Sequence, residues 1–353
     1  MSQVDIPRDL LPQIDHEVEW WYYSGHLFDG ERPFGFQVAL FRVNLRRFEG
    51  MGRLPVRWLF AEQQYFAHVA LTDVASRQFA YGLRRSSATE RELARDRYQI
   101  QVADCSVAGN GKSHSIVCSV NGSRLNLTLK SLKPFVSHQS MDALPPTGGP
   151  SKHFSYTRMQ VQGSIQSSHG QKRVTGTAWM DREFGRPVFQ QKFGGWDWFA
   201  IQMDDGREIM VELFRSPQRK MLEESSLTLV DAKGNTRSYS PPDFSAVSTA
   251  TWASPSTGIE YPASWSVRVP SLNLELQIEP SLPHQELDTR GVSRLIYWEG
   301  ASRVQGQIEN GEVSGQAYVE LVGYGGIPRS CSLFSMLRDA WRVRRLGFDR
   351  VVQ

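Results

Sequence analysis

The feature that most constrains this chain is a strand pattern near the N-terminus whose two faces both carry large aromatic side chains. Residues 17–28 read EVEWWYYSGHLF, and a second alternating segment, ERPFGFQVALFRV, follows the dipeptide Asp29-Gly30. Asp-Gly readily adopts the positive φ angles of a tight turn, and aromatic and β-branched residues suit a pleated strand. The pattern therefore predicts a two-strand β-hairpin.

Acidic side chains share strand faces with aromatic ones. Because side chains alternate along a strand, Glu19 lies on the same face as Trp21 and Tyr23. Later segments repeat this combination of acid and rings: GTAWMDREFG from residue 176, GGWDWFAIQMDDGREIMVELFR from 194, YWEG from 297 and GQAYVELVGYGG from 315. The recurrence indicates one structural arrangement that places acids among aromatic rings at several points of the chain.

Strand-like runs separated by turn residues fill nearly the whole sequence, which predicts an all-β protein of antiparallel sandwiches or barrels. Helix is expected only around Ser332 to Arg345 and in residues 88–95. Residues 134–155 contain paired Pro and Gly and predict a long loop. A chain of 353 residues is long enough for two domains, and we place them at residues 1–190 and 191–353, the second ending in a short helix or tail.

Charge and hydropathy limit the classes of binding partner that the sequence predicts. The 40 basic and 37 acidic residues are well mixed and leave a net charge of +3, so nucleic acid is not an expected partner. No apolar run approaches the ~20 residues that cross a bilayer, so no integral membrane segment is predicted. The basic stretch 338–350 permits peripheral contact with anionic lipid, and a solvated helix face is the alternative.

The cysteines bear on the compartment. Three cysteines form no C-x-x-C pair, so structural zinc is not expected, and the most they allow is a pairing of Cys105 with Cys118 across neighbouring strands. The N-terminus lacks the regions of a signal peptide, which indicates the cytoplasm unless a leader was removed.

The aromatic and acidic motifs resemble the AttH-like family, whose relatives include carotenoid 1,2-hydratase (hydroxyneurosporene synthase), kievitone hydratase and fungal lipocalin-like Diels-Alder cyclases. The resemblance lies in HEVEWWYYSGHL with FGFQVALFR, then GTAWMDREFG, GWDWFAIQMDDG and YWEGASRVQGQIENGEVSGQAYVELVGY, between residues 16 and 324. It implies two calycin-like or lipocalin-like antiparallel β-barrels in tandem, with little helix and an apolar cavity inside or between them. It also implies a bacterial protein of the periplasm or the secreted fraction, sometimes described as a predicted hydrolase.

A barrel lined with Trp, Tyr and Phe suits a hydrophobic ligand such as a terpenoid or a lipid. Burial raises the pKa of a carboxylic acid in such a cavity, so the acid stays neutral and can protonate an alkene. Aromatic faces would stabilise the carbocation by about 1 to 2 kcal/mol per contact. These considerations predict a lyase of the hydratase type, or an isomerase or cyclase, that needs no cofactor. The alternative is a non-catalytic carrier or chaperone of a hydrophobic ligand, linked to export.

The candidate proton donors are acids next to aromatic residues, namely Asp181, Glu299, Glu19 and Asp197. The candidate ligand-binding residues are Trp20, Trp21, Tyr23, His26, Trp179, Trp196, Trp198, Tyr297, Trp298 and Tyr318. For each acid the alternative is a structural carboxylate paired with Arg or backbone amides, and for each Trp it is ordinary core packing. No metal site is predicted, because the histidines show neither H-x-H nor H-E-x-x-H spacing, and no G-x-S-x-G motif or phosphate loop is present.

Overall fold

The computed structural model describes residues 4–44, 63–88, 97–138, 152–185, 193–290, 295–326 and 348–352. These residues form two curled antiparallel sheets of twelve and ten strands, which confirms the all-β prediction of two tandem lipocalin-like barrel domains. Among the residues described, no helix is long and apolar enough to cross a bilayer.

The first sheet has the strand order β22-β4-β3-β2-β1-β11-β10-β8-β7-β6-β5, with β9 paired to β10. Its strands are β1 (Val18–Asp29), β2 (Arg32–Asn44), β3 (Gln63–Asp73), β4 (Gln78–Ala88), β5 (Tyr98–Val102), β6 (Cys105–Gly109), β7 (Ser113–Val120), β8 (Ser123–Ser131), β9 (Val136–His138), β10 (Lys152–Ser167), β11 (Gly170–Gly185) and β22 (Phe348–Val352). A 3-10 turn, Arg8–Leu10, precedes them.

The second sheet has the order β15-β14-β13-β12-β21-β20-β18-β17-β16, with β19 paired to β20. Its strands are β12 (Gly195–Met203), β13 (Glu208–Arg215), β14 (Ser226–Val230), β15 (Thr236–Tyr239), β16 (Ser245–Ala253), β17 (Glu260–Val269), β18 (Leu274–Pro280), β19 (Glu286–Asp288), β20 (Ile296–Ile308) and β21 (Gly311–Val322). A 3-10 turn, Pro270–Leu272, joins β17 to β18.

Each sheet curls around its own apolar core. In β8, Leu125, Leu127 and Leu129 are fully buried and alternate with exposed residues, because every second side chain of a strand points to the same face. The hairpin predicted at Asp29-Gly30 joins β1 to β2, and Gly30 has the positive φ of 60° that such a turn needs. The burial of apolar side chains on the inner faces is the main stabilising contribution.

The central strands of the two sheets are buried on both faces, because the outer face of β1, β2 and β11 packs against β12, β20 and β21. Across this interface His26 Nε2 lies 3.0 Å from the carbonyl oxygen of Ala317. Thr72 donates a hydrogen bond of 2.8 Å to Oε1 of Gln285. A Cβ atom added to Gly35 would lie 2.5 Å from Cβ of Ala301, so strands β2 and β20 approach closely at that point. The aromatic residues on both faces of β1 thus belong to two different layers.

A lysine and an arginine of the first sheet's domain form salt bridges with a glutamate of the second sheet across this interface. Lys133 Nζ and Arg158 Nε lie 2.7 and 2.5 Å from the two carboxylate oxygens of Glu208. Glu208 is fully buried, so its two cationic partners offset the loss of its hydration.

Some predictions about individual segments are corrected. The predicted loop 134–155 is wrong in part, because Val136–His138 form β9 and pair with residues at the start of β10. The tail 348–352 does not end the second sheet but pairs with β4 of the first. The helix predicted around Ser332 to Arg345 and residues 89–95 of the other predicted helix lie outside the described residues, as does most of the predicted domain boundary at 186–192. The chain passes from the first sheet to the second between Gly185 and Gly195.

The pairing of Cys105 with Cys118 is present as a disulfide with an S–S distance of 2.09 Å. The two residues lie opposite one another on β6 and β7, next to the paired Ser106 and Val117.

Candidate functional site

The four candidate acids lie in different environments, and Glu19 is the most heavily paired. Its carboxylate accepts hydrogen bonds from Arg42 and Arg182, all three side chains being fully buried. The backbone N–H of Gln13 also donates to it, at 2.9 Å. Glu19 therefore has two cationic partners inside the first domain. This arrangement matches the alternative given for each candidate acid, a structural carboxylate paired with arginine.

Asp197 also has a cationic partner. Its Oδ2 lies 3.0 Å from Nε of Arg215 and accepts a hydrogen bond of 3.2 Å from the hydroxyl of Tyr324. Burial raises the pKa of Asp197 to about 6, and the charge of Arg215 limits that rise.

Asp181 lies beside histidine and hydroxyl groups rather than arginine. Trp179 Nε1 donates a hydrogen bond of 2.7 Å to its Oδ1, and Ser155 donates a second. Nε2 of His153 is 3.5 Å from Oδ2. Burial is the largest single influence on Asp181 and raises its pKa, but the charge and hydrogen bonding of His153, with smaller contributions from His138 and Ser155, together hold that pKa below its usual value. Asp181 is thus a poor proton donor at neutral pH.

Glu299 is the one candidate acid for which the described residues supply no cationic partner, since Glu19 and Asp197 face arginine and Asp181 faces His153. Its side chain is buried with 1% exposure. Burial, followed by the nearby charge of Glu320, raises the pKa of Glu299 well above its usual value, and the hydroxyls of Tyr22 and Tyr297 oppose this only in part. Burial without a cationic partner therefore favours the neutral, protonated form of Glu299.

Glu299 lies in a layer of buried polar side chains between the two sheets, which we call the interdomain polar cluster. Several of their polar atoms have no hydrogen-bond partner of ordinary geometry among the described residues, including Oε1 of Glu299 itself. The cluster comprises Tyr22, Ser24, Gln37, His68, Tyr297, Glu299 and Tyr318. A buried polar atom without a partner costs about 1 to 3 kcal/mol, so a concentration of them is typical of a place where water or a ligand binds.

Contacts across the interface hold the cluster in place. Nδ1 of His68, on β3, lies 2.8 Å from the hydroxyl of Tyr297, on β20. Burial lowers the pKa of His68 to about 3, so this ring is neutral at pH 7. Its position fixes the Tyr297 hydroxyl beside Glu299.

A second acid, Glu320, lies opposite Glu299 on the neighbouring strand β21. Burial raises its pKa to about 7, while the indole N–H of Trp196 donates a hydrogen bond of 3.1 Å to its Oε2. Two buried carboxyl groups with raised pKa values therefore face each other on neighbouring strands.

Aromatic rings pack beside the cluster. The ring of Tyr22, whose hydroxyl is directed at Glu299, contacts Trp198 edge to face with centroids 5.2 Å apart. Trp198 in turn contacts Trp179 at 6.0 Å. Tyr22 therefore contacts Glu299 through its hydroxyl and, through its own ring, Trp198, which packs against Trp179.

The structure divides the ten predicted ligand-binding residues among three places. Trp21 and Tyr23 lie in the core of the first domain, where Tyr23 is bonded to Tyr98 at 2.5 Å, and Trp298 lies in the core of the second. The others lie between the sheets: Trp20, His26, Trp179, Trp196, Trp198, Tyr297 and Tyr318.

Sequence reasoning missed several members of the site. Tyr22 and Glu320 stand in the quoted motifs, and their alternation with the selected residues was the available signal. Ser24, Gln37 and His68 carry no local signal, because their role comes only from the approach of the second sheet.

An open groove of about 400 Å³ lies elsewhere, on the outer face of the first domain. None of the predicted site residues borders it. It is lined mainly by polar side chains of β8, β10 and β11: Asn126, Thr128, Gln162, Gly163, Ser164, Gln171, Arg173, Val174 and Thr175.

Two tandem barrels that meet through a buried layer of acids and aromatic rings define a two-domain, lipocalin-like protein. A family model described as AttH-like matches residues 1–324. The chain belongs to the AttH-like family, which confirms the resemblance drawn from its motifs.

Solved structures share this fold. An AttH protein of Nitrosomonas europaea is 27% identical with a TM-score of 0.78, over 92% of this chain and 98% of the other. Kievitone hydratase of Nectria haematococca is 14% identical with a TM-score of 0.68, over 90% of this chain and 92% of the other, a likeness of fold. No curated protein matches the sequence.

Proposed function

We propose that this protein is a cofactor-independent enzyme that binds a hydrophobic, terpenoid-like or lipid-like molecule between its two domains and protonates one of its double bonds. Glu299 is the proton donor. The observation that carries the proposal is the burial of Glu299 beside a second carboxyl group, with no cationic partner among the described residues.

The first step transfers the carboxyl proton of Glu299 to an alkene carbon, leaving a carboxylate and a carbocation. The hydroxyls of Tyr22 and Tyr297, which favour the charged form of Glu299, stabilise the carboxylate as it forms. The rings of Trp198 and Trp179 offer aromatic faces next to Tyr22, and each cation–π contact contributes about 1 to 2 kcal/mol in a dry site.

The second step depends on what meets the carbocation. Addition of water gives an alcohol and returns a proton to Glu299, which is hydration. Loss of a different proton gives an isomer, and attack by a group of the same molecule gives a ring. In isomerisation or ring formation Glu320, with a pKa of about 7, accepts the released proton, and proton exchange with water then restores both carboxyl groups. One fold relative is named a hydratase, which favours the first outcome.

Deuterium labelling tests the chemistry. The full chain is incubated in D₂O with kievitone, the compound in the relative's name, and with geranylgeraniol and neurosporene as acyclic polyenes. We expect at least one bound compound to acquire a carbon–deuterium bond, detected by mass spectrometry. Glu299→Gln should retain binding, followed by tryptophan fluorescence, and lose the label.

The control is Glu312→Gln, which changes an exposed acid at the start of β21. This variant should keep both ligand binding and deuterium labelling. Binding by the wild type without label in any compound would identify a carrier of hydrophobic ligands instead. Equal labelling by Glu299→Gln and the wild type would remove Glu299 as the donor.

A further inference from the structure

Two histidines and an aspartate form a second buried cluster that the proposed chemistry does not use. His138 lies on β9, His153 on β10 and Asp181 on β11, three strands that are neighbours in the first sheet. One possible ligand atom of each residue lies within 4.8 Å of those of the other two, and all three residues are buried. The cluster is fixed by strand register, since His138 pairs directly with His153.

The ring nitrogens in this cluster are poorly hydrogen-bonded. Neither nitrogen of His153 has a hydrogen-bond partner of ordinary geometry among the described residues, and Nδ1 of His138 has none either. The two rings lie 4.6 Å apart between centroids. A transition metal binds imidazole nitrogens of this kind in their deprotonated form, so at His153 the ion would take the place of the proton held between Asp181 and Glu183.

The distances suit a tetrahedral metal. Nitrogen and oxygen ligands lie about 2.0 to 2.2 Å from Zn²⁺, which puts neighbouring ligand atoms roughly 3.4 Å apart. Nε2 of His153 and Oδ2 of Asp181 are 3.5 Å apart, close to that separation and longer than a hydrogen bond. A ligand atom of His138 lies within 4.8 Å of those of His153 and Asp181.

The surroundings resemble the outer shell of a metal site. Oε2 of Glu183 lies 4.0 Å from Nδ1 of His153, on the opposite side of the ring from Asp181. Ser155 and Trp179 both donate hydrogen bonds to Oδ1 of Asp181, which leaves Oδ2 directed at His153. A ligating histidine commonly faces a carboxylate through its second nitrogen, and ligating carboxylates are themselves hydrogen-bonded.

We propose that His138, His153 and Asp181 bind a divalent transition-metal ion, with Zn²⁺ as the best match to two imidazoles and a carboxylate. The ion would tie the three-residue strand β9 to β10 and β11 beside the interface between the sheets. This inference is independent of the role of Glu299, because it concerns metal binding in the absence of any substrate.

Metal binding by the full chain tests the proposal. The protein is stripped with EDTA, dialysed and titrated with Zn²⁺ against a chromogenic chelator, and with Co²⁺, whose visible spectrum reports tetrahedral ligation. We expect one Zn²⁺ per chain, a tetrahedral Co²⁺ spectrum and an increase in thermal stability on addition of Zn²⁺.

Single substitutions distinguish the proposed metal ligands from residues that do not bind the metal. Asp181→Asn and His153→Gln should each weaken Zn²⁺ binding by more than about 100-fold, and Glu183→Gln by roughly 10- to 100-fold. His169→Gln, which changes an exposed histidine in the turn before β11, should have no effect. If a ligand variant fails to fold, the wild-type stoichiometry and Co²⁺ spectrum decide. Failure of the wild type to bind Zn²⁺ in a one-to-one ratio, or binding that survives Asp181→Asn and His153→Gln unchanged, would overturn the proposal.

Discussion

The same substitution at two buried glutamates should have very different effects on stability. Glu19→Gln removes the charge that faces two buried guanidinium groups, those of Arg42 and Arg182. Breaking a buried ion pair by removing one partner costs about 3 to 5 kcal/mol, because the remaining charge is left without compensation. Glu299→Gln replaces a protonated acid by a neutral amide of nearly the same shape, so the two proteins should differ by no more than about 1 kcal/mol near pH 4, and the variant should be no less stable than the wild type at pH 7.

Urea unfolding at pH 7, followed by tryptophan fluorescence, measures both free energies. The pH dependence adds a second criterion. Because the pKa of Glu299 in the folded state lies above its unfolded value of 4.5, its contribution to stability is complete below pH 4.5 and is lost as the pH rises toward the folded-state pKa. Glu299→Gln should lack that loss and gain relative to the wild type as pH rises. A loss of 3 kcal/mol or more for Glu299→Gln at pH 7 would show that Glu299 is a charged, paired residue and would refute the reasoning.

Three further predictions concern the histidines, the cysteines and the first core. Burial lowers the pKa of His68 from 6.5 to about 3, so as the pH falls the unfolded state takes up a proton on this ring before the folded state does. Between pH 7 and pH 5 the free energy of unfolding of the wild type, measured in urea, should therefore fall by about 2 kcal/mol more than that of His68→Gln. Alkylation of the denatured, unreduced protein should label one of its three cysteines, and reduction should expose all three; labelling of all three without reduction would contradict the Cys105–Cys118 bond. Trp21→Ala should cost about 3 to 5 kcal/mol of stability, because the ring is fully buried and its Nε1 bonds to the carbonyl oxygen of Leu10 at 2.8 Å; a loss of ligand affinity with unchanged stability would contradict this.

Strand periodicity alone predicted much of the architecture. A period of two put Glu19 on the face of Trp21 and Tyr23, and all three side chains lie inside the first domain. Trp20 lies on the other face, against the second sheet. Aromatic residues on both faces of β1 fit a strand buried between two layers, since a strand with one face in water would alternate with polar residues, but the pattern alone predicted only a hairpin.

Periodicity could not identify the neighbours that decide the role of each acid. The partners of Glu19 are 23 and 163 residues away along the chain, and the hydroxyl of Tyr22 reaches Glu299 from a different sheet. His138 and His153 lie in a region whose Pro and Gly content predicted a loop, and the strand pairing that aligns them has no local signal.

The residue that lies opposite each glutamate on the neighbouring strand explains why Glu19 and Glu299, which stand in similar motifs, have different electrostatic surroundings. Glu19 pairs across the strands with Arg42, whereas Glu299 pairs with Glu320. Directly opposed side chains lie about 5 Å apart, a range at which an opposite charge favours the charged form of an acid and a like charge favours the neutral one. Burial acts on both acids, but in the first domain arginine compensates for it, and between the domains a second carboxyl group adds to it. In the first sheet the buried glutamate therefore joins strands through arginine, while the interface holds a buried glutamate without a cationic partner, the residue that we propose as the proton donor.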